Sequence, residues 1–282
     1  MVKRSRDAAE AADPEGMIAL GGSDAPLVFD VVGERGSGAR GDEKGLTLTY
    51  FAIKGLGEVP RLLLAEGGVS YTSLAVQGGE PQEIVGNWRS LSPNGLLPIV
   101  SGLGIPRSSP VCQSSSIIRF LARRFDMDGG EDEAGKCAAD LLFETAKDLG
   151  AKASEVVAAT EAEAAEAKKE AVPKGPWALT KRLETMIAPD VDQLHLYRDQ
   201  ETRVTYGHLQ LLRELMKLES KGASLAILSS PLAAFKDHMV NRPRLKAYLA
   251  SNLCFPDTFG EIGQEGCYAY ATGPKKRKEF HI

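Results

Sequence analysis

NGLLPIVSGLGIPRSSPVCQSSSIIRFLARRF, residues 94–125, is the stretch whose reading decides the fold. It predicts strand, turn, strand, helix. Leu96-Leu97-Pro98-Ile99-Val100 is a short apolar run with a proline inside it. Proline donates no ladder hydrogen bond, so Pro98 belongs at a strand start or a turn, with the residue before it extended. Val111-Cys112 ends a second strand, and Pro110 before it argues for a sheet edge. Gln113-Ser114 leads directly into a helix whose apolar face is Ile117, Ile118, Leu121 and Phe125. A serine at a helix start caps the first turn, and the free N–H groups there suit a small carboxylate.

Upstream, Leu46–Phe51 is β-prone, Glu58–Glu66 has a helical face at Val59, Leu62 and Leu63, and Val69–Leu74 is again β-prone. Strand, helix, strand at this length predicts a βαβ unit with a parallel pair. Residues 45–127 therefore form one α/β domain. Downstream the apolar period becomes helical. One long helix is expected from about Glu131 to Ala171, because its Ala/Glu/Lys stretch is made of strong helix formers. Pro173 and Pro176 break it, and further helices follow to Leu253. Residues 131–253 are thus an all-helical domain. Residues 1–44, rich in Gly, Ala and alternating charge, are expected to be a mostly disordered extension, with Leu27-Val28-Phe29 and Val31-Val32 as a weak candidate strand within it. Residues 254–282 are expected to be a tail, with the basic run at 275–278 solvated.

Composition excludes several classes. Net charge is −4, so no basic field attracts nucleic acid. No apolar run approaches the roughly 20 residues that span a bilayer, so no membrane association is expected. Cys112, Cys137, Cys254 and Cys267 have no metal-ligand spacing and are too sparse for a disulfide framework. A reducing, cytoplasmic setting without a metal is the expectation.

Thr49-Tyr50-Phe51, Gly55, Glu58, Arg61 through Ala65, Leu97-Pro98, Gln113-Ser114 and Ile117 through Arg123 resemble the N-terminal domain of cytosolic glutathione transferases, with the tyrosine-type sigma and mu classes nearest in pattern. Asp140, Asp148 and Phe235–Leu249 are similar to the helical domain of that family. The resemblance spans most of residues 46–252. It implies a thioredoxin-like α/β domain followed by an all-α domain. It also implies glutathione as co-substrate, a small electrophile as second substrate, a detoxification role and a homodimer.

It further implies a role for each matching residue. Tyr50 is the expected catalytic residue. A thiol with a pKa of about 8.5 is only a few per cent thiolate at neutral pH, and a phenol donating to the sulfur stabilises the anion. On residue type alone, Tyr50 reads as a strand-end core tyrosine with its hydroxyl in water; the catalytic role comes from the resemblance. Leu97 and Pro98 match the place where a cis proline turns the backbone toward the cysteinyl part of glutathione. Gln113 and Ser114 match the pair holding the γ-glutamyl end, although Ser114 reads equally as a plain cap. Trp88 and Arg89 are the candidates for the glycine carboxylate. Asp148 matches an acid that reaches glutathione in the partner subunit.

Some positions depart from the family. Leu56 stands where the sigma pattern has arginine, and Leu96 replaces a polar residue. Thr205-Tyr206-Gly207-His208 carries histidine where the family's helix-capping box has an acid, which predicts a weaker helix start. Two alternatives stay open: a non-catalytic binding or scaffold protein, and a glutathione-dependent isomerase.

Overall fold

The computed structural model describes residues 27–34, 45–76, 89–106, 108–159, 161–169, 174–191, 204–251, 253–258 and 278–281. It divides into two compact units, residues 1–121 with 247–282, and residues 122–246.

The first unit is built on a six-stranded sheet. Its strands are β1 (Leu27–Val32), β2 (Thr47–Phe51), β3 (Tyr71–Val76), β4 (Ile99–Ser101), β5 (Val111–Cys112) and β6 (Lys278–His281), in the order β5-β4-β2-β3-β1-β6. β2 and β3 are parallel and joined by helix α1 (Glu58–Glu66), the expected βαβ unit. β4 runs antiparallel to both β2 and β5, and β5 is an edge strand, as Pro110 requires. Helix α2 (Ser114–Arg124) buries Ile117, Ile118, Leu121 and Phe125, the face read from its period.

Leu27–Val32 and Lys278–His281 are strands, which corrects the expectation at those two segments; residues 1–26, 35–44 and 259–277 lie outside the described residues. β1 pairs antiparallel with β3, and β6 pairs parallel with β1. The physical reason is the alternation in Leu27–Val32. Phe29 and Val31 are buried, while Asp30 faces the other way and accepts from the Thr72 hydroxyl at 3.1 Å. The tail also packs here, with the Phe255 ring edge-on to Phe29 at 5.8 Å. Lys278 of the basic run opens β6, and residues 275–277 lie outside the described residues.

The second unit is helical throughout its described residues: α3 (Glu133–Ala151), α4 (Ala153–Ala158), α5 (Glu161–Lys169), α6 (Pro176–Val191), α7 (Tyr206–Ser220), α8 (Leu225–Leu228) and α9 (Ser230–Val240). A last helix, α10 (Pro243–Leu249), leads out of it. The single long helix expected to Ala171 is instead three. The chain leaves helical geometry at Lys152 and again at Ala159, which is extended. Ala153 and Val156 of α4 are buried, and the Ala/Glu/Lys run itself stays helical as α5.

The capping box of α7 also departs from expectation. His208 Nδ1 accepts the Thr205 N–H at 3.1 Å, so a ring nitrogen does the work assigned to a carboxylate. In that role the imidazole carries its proton on Nε2.

Helices α3 and α7 meet closely at Gly207. A Cβ there would lie 2.5 Å from the Ala139 carbonyl oxygen and 3.0 Å from Leu142 Cβ. In an ordinary helix interior, Gly→Ala stabilises by up to about 1 kcal/mol. Here the clash reverses the sign, and Gly207→Ala is expected to lower stability by about 1–3 kcal/mol, measured as a lower denaturant midpoint.

Candidate functional site

The strand register places the candidate residues together. Thr49 is paired with Ile99, and Ile99 with Cys112. One residue further toward the same end of the sheet lie Tyr50 on β2, Pro98 just before β4 and Gln113 just after β5. This is the carboxyl end of the parallel pair β2 and β3, the end at which open α/β sheets hold ligands.

Tyr50 packs its ring with Leu74, Val76, Leu91, Leu97 and Ile99 and keeps 7% of its surface exposed. Its hydroxyl oxygen accepts the backbone N–H of Leu56 at 3.0 Å. That bond anchors the oxygen from the loop side, and the hydroxyl's own proton is left to donate. The 3-10 turn Gly55–Gly57 makes this approach possible. A Cβ on Gly55, whose φ is +39°, would sit 2.5 Å from the Tyr50 hydroxyl. A Cβ on Gly57 would sit 2.4 Å from the ring. Two glycines thus let the loop lie directly against the tyrosine.

The Leu97–Pro98 peptide bond is cis. The turn before it is held by Asn94, whose Oδ1 accepts from the Ser92 hydroxyl at 2.7 Å and the Leu96 N–H at 3.1 Å. Leu97 is buried beside Tyr50, while Leu96 is 53% exposed. Gln113 has φ +70°, a left-handed conformation uncommon outside glycine. Its carbonyl accepts the Ile117 N–H at 2.9 Å, the first bond of α2. Its side chain is exposed and that of Ser114 is half-buried at the helix start. Non-glycine residues in this region concentrate at ligand sites.

Arg89 is exposed, with its guanidinium 6.0 Å from the Phe51 ring centroid, so it lies near the same end of β2. Trp88 lies outside the described residues. Asp148 is exposed on α3 in the helical unit. That unit holds a cavity of about 650 Å³ lined by Leu141, Leu142, Arg182, Thr185, Met186 and His208, and Asp148 is not in its wall. Among the described residues no helix is long and apolar enough to cross a membrane. No group of three or more His, Cys, Asp or Glu among them is placed to hold a metal.

Sequence reasoning missed the support beneath Tyr50. Arg61 is fully buried. It donates to the carbonyls of Ile53 (2.9 Å) and Phe51 (3.0 Å), lies 3.5 Å from the Glu58 carboxylate, and sits under the Phe255 ring at 4.6 Å. The Tyr248 hydroxyl donates toward Glu58 Oε2 at 3.0 Å. Burial first, and then the Glu58 charge, push the Tyr248 phenol well above its usual range. The only sequence signal was the spacing of Glu58 and Arg61, three apart on one helix; the burial that makes the pair matter is visible only in the structure.

No protein-family model matches the sequence. A glutathione S-transferase of Dirofilaria immitis is 27% identical over 205 residues, covering 72% of this chain and 91% of that one. A solved Nu-class glutathione transferase of Haemonchus contortus superposes with a TM-score of 0.54 at 18% identity, covering 72% of this chain and 95% of the other. A nematode-specific glutathione transferase of Caenorhabditis elegans does so with a TM-score of 0.52 at 21% identity, over 72% and 95%. The chain therefore has the glutathione-transferase fold, a thioredoxin-like α/β unit and an all-helical unit, and resembles glutathione transferases in sequence.

Proposed function

We propose that this protein is a tyrosine-type glutathione transferase that conjugates the glutathione thiol to a small electrophile. The observation that carries the reading is the register that aligns Tyr50, Pro98 and Gln113 at one end of the sheet, with the Tyr50 oxygen held by Leu56 N–H.

Glutathione would lie along that end. The backbone of Leu97 pairs with its cysteinyl part like an added strand. Ser114 and the first N–H groups of α2 receive the γ-glutamyl carboxylate, and Gln113 contributes its amide. Arg89, with Trp88 beside it in sequence, receives the glycine carboxylate. Tyr50 keeps its proton and donates a hydrogen bond from its hydroxyl to the sulfur, which stabilises the thiolate. The thiol proton leaves to solvent, and the thiolate bonds to the electrophilic carbon, whose displaced electron pair departs with a leaving group or takes a proton from solvent. In a homodimer, Asp148 would serve the partner's glutathione. A reducing, cytoplasmic setting fits a sequence with only four scattered cysteines.

The test is glutathione binding and conjugation to a general electrophile. Ser114→Ala is expected to raise KM for glutathione about tenfold or more with kcat nearly unchanged, since a hydrogen bond to a charged group contributes about 1.5–3 kcal/mol. An unchanged KM removes Ser114 from the site. Absence of glutathione binding at millimolar ligand overturns the reading, and binding without turnover leaves a non-catalytic binding protein.

A further inference from the structure

We propose that the C-terminal segment Leu253–Asp257 is a positioning element for Tyr50, acting by clamping the loop Ala52–Leu56. This inference rests on the catalytic reading of Tyr50.

The loop touches Tyr50 on one side. Leu56 N–H is bonded to the hydroxyl oxygen, and Gly55 and Gly57 leave no side chain between loop and ring. Any displacement of the loop is therefore passed to the hydroxyl. On its other side the loop is tied to the C-terminal segment. Lys54 N–H donates to the Pro256 carbonyl at 2.7 Å, and Lys54 Nζ meets Asp257 at 3.4 Å. Arg61 joins the two, donating to the carbonyls of Phe51 and Ile53 while its guanidinium lies under Phe255. Tyr248 then secures the start of the segment, with its hydroxyl near both Glu58 and the Leu253 carbonyl.

The Lys54–Asp257 pair is suited to this work. Both side chains are about one-fifth exposed, at 20% and 23%, so the pair is only partly screened. Partial burial lowers the lysine's pKa, but the charges of Cys254, Asp257 and Glu58 outweigh it and hold the ammonium above its usual range. The loop is a bend and one 3-10 turn, joined to the sheet by Ala52 N–H to the Val76 carbonyl, to helix α1 by Arg61 at the Ile53 carbonyl, and to the C-terminal segment at Lys54. A segment some 200 residues away in sequence thus supplies the rigidity that a thiolate-stabilising hydroxyl needs.

The experiment uses the full chain with ring-carbon-labelled tyrosine, the Tyr50 resonance being identified by its loss in Tyr50→Phe. Asp257→Ala and Lys54→Met are expected to shift that resonance. They should also lower kcat about tenfold, inside the ~100-fold that a misplacement of about 1 Å costs, with KM for glutathione within about twofold. The pH profile of kcat/KM should move upward, because less thiolate is stabilised. The charge-swapped pair Lys54→Asp with Asp257→Lys should restore part of the loss. A structural role alone would lower the melting temperature and leave the resonance and the pH profile in place, and that result overturns the proposal. The resonance decides the clamp even without turnover. Absence of conjugation by wild type would instead defeat the catalytic reading.

Discussion

Tyr50→Phe is expected to lower kcat/KM for glutathione conjugation about a hundredfold while leaving glutathione binding nearly intact. The magnitude follows from what the hydroxyl supplies. A drop of about two units in the thiol's pKa corresponds to about 2.7 kcal/mol, or a factor of about 100. Phenylalanine keeps the ring that packs with Leu74, Leu97 and Ile99, so the site should keep its shape. The variant loses the bond that the hydroxyl accepts from Leu56 N–H, with a stability cost of about 1 kcal/mol. The pH profile separates mechanism from misfolding. In wild type, activity should plateau above the lowered thiol pKa. In the variant the rise should move to about 8.5, the value of a free thiol. Steady-state kinetics between pH 6 and 9 check both points. An unchanged rate and profile would make Tyr50 a core residue and nothing more.

The largest effect on stability should come from Arg61→Met. Removing one partner of a buried ion pair costs about 3–5 kcal/mol, because the other charge stays buried. Glu58 and Arg61 are each 1% exposed at the side chain, so solvent cannot replace the guanidinium. The Phe51 and Ile53 carbonyls also lose the donors that Arg61 provides. Methionine is close in volume, so the loss should reflect charge and hydrogen bonding more than a cavity. Denaturant unfolding would show it as a fall in midpoint. Adding Glu58→Gln removes the stranded charge and should recover part of the loss. A double variant as unstable as the sum of the two singles would show that the ions are not coupled.

Both predictions concern residues of one short motif, but only one was readable in advance. Tyr50 ends a β-prone run before a glycine turn, and that is visible in sequence order. Arg61 looks like any helix arginine until the helix is found to be buried along its whole length. His208 shows the same limit. Its spacing from Thr205 marked a helix start, but its capacity to accept the Thr205 N–H depends on ring orientation. Leu27–Val32 is an apolar strip with a single charge at Asp30, which in the sequence reads as no more than a weak strand. A lone six-residue strand has no stability until β3 and β6 pair with it.

By itself the sequence determined what near neighbours control: the βαβ order, the cis-competent Leu97–Pro98 turn, the edge strand after Pro110, and the amphipathic face of α2. These depend on period, proline geometry and end-capping, all set within a few residues. Tertiary structure alone decided the rest. It set the register that brings Tyr50, Pro98 and Gln113 to one end of the sheet, and it divided the expected long helix at Lys152 and Ala159. It also joined Glu58 to Tyr248 across 190 residues. Register and buried charge pairing depend on which distant segments share a core, and no local pattern carries that information.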